Sequence, residues 1–159
     1  MKNQKGFSLV ELLVVVIIIA IIAAIAIPNL LASRRAANEA SAISSLRTIH
    51  SAQATYQATQ GNNTDYASSL AILGAATSPD PNGLIDPQLT LGSKSGYTFT
   101  VSAPATQVYC ANADPTTPGT TGNRFFAVSQ PGVIYQGQNA TLGCDNTGVI
   151  TGTSVSAIQ

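Results

Sequence analysis

Glu11 stands at the head of an apolar run, and that position makes it the most chemically pointed residue in the first half of the chain. From Leu12 to Ile27 no polar side chain interrupts the sequence. An ionised carboxylate in such a segment costs several kcal/mol unless it finds a partner. The nearest positive charge, Lys5, lies six residues away and precedes the run. Glu11 therefore reads as a group awaiting a cation from elsewhere, against the plainer reading of a carboxylate snorkelling to the membrane surface. Other candidates are few. Cys110 and Cys144 are the two cysteines, and His50 is the single histidine. Neither cysteine has a histidine or a second cysteine at metal-ligand spacing. No nucleophile motif, phosphate loop or Cys-x-x-Cys-His haem motif occurs, so the criteria for an active site go unmet. No enzyme activity, metal or cofactor is expected, and His50 reads as a helix-face residue.

The element that must carry Glu11 is a membrane-length helix. Residues 7–27 can cross a bilayer, and in lipid the backbone has to satisfy its own hydrogen bonds, which favours helix despite the many β-branched side chains. A secretory signal peptide has a shorter apolar core, about 7–15 residues, and Ala24-Ile25-Ala26 is a weak cleavage site. A plain signal anchor fits the length and leaves Glu11 unexplained. Charged residues make up 9% of the chain and formal net charge is zero. That is well below the roughly one-quarter typical of soluble domains and suits a chain held in a membrane or an assembly. Loss of the polar segment 1–6, with Lys2 and Lys5, leaves a mildly acidic product with no footprint for nucleic acid.

The order Lys5-Gly6-Phe7-Ser8-Leu9-Val10-Glu11-Leu12-Leu13, then the apolar run, then Ile27-Pro28, resembles the type IV pilin family, which includes the pseudopilins of type II secretion. The likeness covers residues 5–31 and weakens beyond. It implies a leader of residues 1–6, removed by a prepilin peptidase between Gly6 and Phe7, with methylation of the new amine of Phe7. It implies storage in the inner membrane, a pilus assembly machinery as partner, and a helical homopolymer at the cell surface. Cleavage would create a cation at Phe7, four positions before Glu11. In a staggered bundle the amine of an incoming copy can meet Glu11 of one already in place. At an effective dielectric near 20, two unit charges about 4 Å apart attract by roughly 4 kcal/mol. Such a pair specifies register, the best-attested use of a buried ion pair.

Pro28 follows the run and is expected to kink the helix rather than end it. Many pilins have a glycine ahead of this proline, where here Ala20 and its neighbours are good helix formers. Ile43, Leu46, Ile49 and Tyr56 recur at helical spacing, so a second, amphipathic half spans residues 32–60, with Gly61 as its C-terminal cap. An Arg35–Glu39 pair at i,i+4 is expected on its solvated surface, with Arg34 beside it, and inter-subunit pairing or contact with lipid headgroups is the alternative for these three residues.

Residues 61–159 read as a head. Residues 65–73 could form a short helix capped by Asp65. Pro79, Pro81, Asn82-Gly83 and Pro87 mark a loop. Strands are expected over 97–101, 107–111, 124–129, 133–136 and 148–151, with Asp114 to Gly119 a turn and Pro131-Gly132 a hairpin. The fold class is α+β: a long N-terminal helix with an antiparallel sheet of about four strands packed on its second half. Tyr97 or Phe99, Val101, Phe125 or Phe126, and Val128 would cover Ile43, Leu46 and Ile49.

An even cysteine count in an exported chain points to one Cys110–Cys144 disulfide, with two buried thiols as the alternative. By the resemblance, the loop between them is the exposed, variable pilin region. Asn62-Asn63-Thr64 and Asn139-Ala140-Thr141 match the glycosylation triplet, which is common by chance, and no modification is assigned. The functional expectation is a pilus subunit serving adhesion, motility or DNA uptake, with a pseudopilin as the alternative. Major pseudopilins carry an acidic calcium loop, whereas Asp114 and Asp145 here are isolated in sequence. Phe7 and Tyr56 are the aromatics on the long helix, too few for an electron-carrying stack.

Overall fold

In the computed structural model the described residues are 6–75, 83–138 and 140–158. Lys2 and Lys5, the expected loop residues Pro79, Pro81 and Asn82, and Asn139 lie outside them. The chain divides into two compact units, Met1–Arg34 and Arg35–Gln159. The expected α+β class is what the structure has: one long helix, then an antiparallel sheet.

Helix α1 runs over Leu9–Thr59 and continues through Pro28. Proline has no N–H for the carbonyl one turn back. Nearby side chains bond other carbonyls of this stretch: Asn29 Nδ2 donates to Ile25 O at 3.2 Å and Ser33 Oγ to Asn29 O at 3.0 Å. At the far end Gly61 is not the left-handed cap. Asn62 (φ 49°) and Asn63 (φ 59°) take that conformation, which asparagine tolerates better than most residues. Gly61 is needed for space, since a Cβ there would run into Asp65 O.

In the second unit, α2 spans Leu70–Gly74 and is capped by Ser69, whose hydroxyl accepts from Ile72 N–H, so Asp65 is not the cap. Helix α3 spans Pro87–Thr90, within the region expected to be loop. Asp86 starts it by accepting from Leu89 N–H at 3.0 Å, while Pro87 supplies the preset φ of a first helical residue. The strands are β1 Ser93–Lys94, β2 Tyr97–Ala105, β3 Val108–Pro115, β4 Arg124–Ser129, β5 Ile134–Gln138, β6 Gly143–Cys144, β7 Ile150–Thr151 and β8 Ser156–Ala157. Six form one sheet in the order β1-β2-β3-β4-β5-β8, and β6 pairs with β7 apart from it. That is wider than the four strands expected. β1 and β8 are two residues each, too short to leave an alternation in the sequence. Ser95 and Gly96, both at positive φ, make the tight β1–β2 turn.

The sheet buries one face on the second half of α1. Ala42, Leu46, Ile49 and Ala52 meet Tyr97, Phe99, Tyr109, Ala111, Ala113, Phe126, Val128 and Ile134, with Ile43 and Val101 at the margin. The open pairs resolve as both Tyr97 and Phe99, and as Phe126. Phe125 points the other way, as strand alternation requires. It joins a second cluster with Cys110, Ala127, Leu142 and Ile150.

Candidate functional site

The first turn of α1 is built from four residues. Gly6 has nothing within 4 Å of where a Cβ would stand. Phe7 is 83% exposed. Ser8 N–H donates to Glu11 Oε2 at 2.8 Å, and Val10 N–H donates to Ser8 Oγ at 3.3 Å. Ser8 and Glu11 thus form a variant of the capping box, the hydroxyl taking Val10 N–H rather than Glu11 N–H, and satisfy N–H groups a helix start would otherwise leave open. Glu11 has a local partner after all, a backbone N–H rather than a charge. The signal is legible as Ser-x-x-Glu, and a helix started at Phe7 conceals it. The cap uses Oε2, and no described group bonds Oε1.

Beyond the cap, seventeen large apolar side chains from Phe7 to Leu31 are exposed by 48% or more. Burying one such side chain is worth roughly 1.5–3 kcal/mol. A surface of this size in water is far outside what a soluble monomer carries. Among the described residues α1 is the one helix long and apolar enough to cross a membrane.

Arg35 and Glu39 do not pair. Glu39 is 7% exposed and grips β4. Arg124 donates through Nε at 2.8 Å and forms an ion pair through Nη2 at 2.7 Å, both to Glu39 Oε2, while Asn123 N–H donates to Oε1 at 2.9 Å. Arg124 also lies over the Phe126 ring and donates to Gln136 Oε1. A half-buried ion pair, with two guanidinium donors converging on Oε2 and backbone N–H groups on Oε1, outcompetes a solvated i,i+4 contact worth a few tenths of a kcal/mol. Arg35 Nη1 instead donates to Gly119 O at 3.1 Å, and Asn38 Nδ2 to Thr121 O at 2.9 Å. His50 bonds the Tyr109 hydroxyl through Nδ1, and the Tyr66 ring packs against Tyr109 at a tilt of 59°, with centroids 4.9 Å apart. Burial pushes the Tyr109 phenol up from its ordinary value.

Cys110 and Cys144 are joined, with Cα atoms 6.2 Å apart, within the range a disulfide spans. The bond ties β3 to β6 over the face of the sheet away from α1. Asn112 Nδ2 donates to Leu142 O at 3.0 Å, Thr141 Oγ1 to Asp114 Oδ2 at 2.8 Å, and Ser129 Oγ to Gly148 O at 2.7 Å. Asp114 Oδ1 is buried without a partner, and burial raises this carboxyl above its ordinary value of 3.8. Asp145 is held below that value by Thr147 and the Val149 N–H. Among the described residues no three His, Cys, Asp or Glu side chains group as a metal site.

The family model of the prokaryotic N-terminal methylation motif matches residues 1–27. The type IV wide pilus major component PilA4 of Thermus thermophilus is 31% identical over 140 residues, covering 88% of this chain and 92% of that protein. The chain belongs to the type IV pilin family. No solved structure matches it. The pilin's long apolar helix, antiparallel sheet and disulfide are those of a pilus structural subunit, not of an enzyme.

Proposed function

We propose that this pilin is made with the leader 1–6, cut between Gly6 and Phe7 by a prepilin peptidase that methylates the new amine, and held in the inner membrane by residues 7–31. From there the pilus assembly machinery adds it to an extracellular filament. Oε1 of Glu11 takes the ammonium of an incoming Phe7 and so sets the axial step. The observation that carries the reading is the seventeen exposed apolar side chains behind one capped carboxylate. Lipid covers them before assembly and identical helices cover them afterwards. The likeness to a named major pilus component favours a pilus subunit over a pseudopilin, and a major subunit over a minor one. Adhesion, twitching motility or DNA uptake are the uses such a fibre would serve.

Surface filaments sheared from cells and analysed by mass spectrometry should consist mainly of this chain beginning at methylated Phe7. A chain that keeps Met1 and sediments in no polymer would refute the proposal.

A further inference from the structure

Resting on the filament reading, we infer that Arg47 of one copy pairs with Asp65 of another, an intermolecular ion pair along the outward face of α1 that fixes the stagger of neighbouring heads. Among the described residues from Arg35 on, nearly every ionic group is already engaged. Glu39 holds Arg124, Asp86 holds Lys94 at 3.0 Å, and Arg35 bonds Gly119 O. Asp114 accepts from Thr141, and Asp145 is bound into its own turn through Thr147 and Val149. Arg47 and Asp65 remain: one cation and one anion, both exposed, neither with a partner among the described residues.

They cannot meet within one chain. Asp65 folds over the last turn of α1, against Gln57 and Gly61. Ten helical residues separate Arg47 from Gln57, about 15 Å of axis, beyond the reach of an arginine side chain. Two copies displaced along α1 by that distance bring the two groups together.

The surroundings of Arg47 point to a second copy as the partner. Its neighbours on the exposed face are Ala40, Ser44, Thr48, Ser51, Ala54 and Thr55. The hydroxyls of Thr48 and Thr55 are turned back to Ser44 O and Ser51 O at 3.2 and 3.0 Å. The face is small and largely self-satisfied, so another surface can approach it closely. Arg47 is the ionic group on it. Covering an arginine without an anion is costly, so a copy that covers this face has to bring a carboxylate. Among the described residues from Arg35 on, Asp65 is the carboxylate left free to do so. The link is independent of Glu11 and joins a different pair of neighbours: a Phe7–Glu11 contact offsets two copies by four residues, about 6 Å, whereas Arg47 and Asp65 meet at about 15 Å.

The test is charge reversal in the full-length chain, in cells that assemble it. Arg47→Glu and Asp65→Arg should each cut sedimentable filaments roughly tenfold, through like charges brought together, with subunit levels in the membrane unchanged. The double variant should recover most of the yield. Single variants at wild-type yield would overturn the pair, as would a double variant no better than the weaker single. As a second readout, Arg47→Cys and Asp65→Cys combined in one chain should give an oxidised ladder of multimers from sheared filaments, and monomers alone would count against it. Wild-type cells without filaments would remove the filament reading itself, which separates that failure from failure of the pair.

Discussion

Glu11 has two tasks at the residue scale, and they can be separated. Its Oε2 caps the helix through Ser8 N–H, which a neutral amide oxygen can also do. Its charge is needed only where a cation arrives. Glu11→Gln keeps the cap and loses the charge, whereas Glu11→Ala loses both. Both variants should reach the membrane at normal level and yield no filaments. The missing attraction is roughly 4 kcal/mol at an effective dielectric near 20, about a thousandfold in the docking equilibrium. Electron microscopy of sheared material checks this. Normal filaments from Glu11→Gln would reduce the carboxylate to a helix cap. The acid itself is plain in the sequence because nothing polar follows it for sixteen residues. Its backbone partner is not, because a capping box is legible only once the first helical residue is known.

At the scale of elements, what the sequence shows and what it hides divide by the range of the interaction. β4 is legible over Arg124–Ser129 because its apolar block ends in a Pro-Gly turn. Glu39 is misread from the sequence because its partners Asn123 and Arg124 are 84 and 85 residues away, and no local pattern announces them. The second cluster is hidden for the same reason. Leu142 and Ile150 sit in a segment too short and too polar to read as a layer, yet with Phe125 and Cys110 they cover the sheet. That layer gives two stability predictions. The disulfide closes a loop with a sequence separation of 34. Chain-entropy models put the effect of such a closure at about 3–4 kcal/mol. Reductant should therefore lower the melting temperature of the head by roughly 10 °C by circular dichroism, and an unchanged value would show that the hydrogen bonds of this layer suffice without it. The other concerns Asp114, whose folded-state value lies above its unfolded one because burial disfavours the charge. Its protonated form is favoured by folding, so its contribution is best below the ordinary value of 3.8 and worsens as pH rises through the raised one. Asp114→Asn keeps an acceptor for Thr141 and removes the buried charge. It should melt higher than wild type at pH 7, with the difference shrinking toward pH 3. An equal difference at both pH values would assign the gain to packing rather than charge.

The whole molecule joins two units with opposite solvent requirements on one continuous helix. Both apolar clusters lie at or beyond Ala42, as do the disulfide and all six strands of the main sheet. The clamps of Arg35, Asn38 and Glu39 on the 119–124 segment also fall inside the second unit. Nothing described that holds the head together depends on residues 1–34. A chain reduced to residues 35–159 should therefore be soluble without detergent, elute as a monomer and melt in one cooperative transition, as domains of this size usually do. Restoring residues 7–34 returns the seventeen exposed apolar side chains. The protein should then need detergent, lipid or its own polymer. Gel filtration of the two forms decides the matter. A truncated head that aggregates, or melts without a cooperative transition, would mean that the apolar half is part of the fold. A soluble, cooperative head would show that the apolar half contributes nothing to folding and acts only in membrane residence and polymerisation.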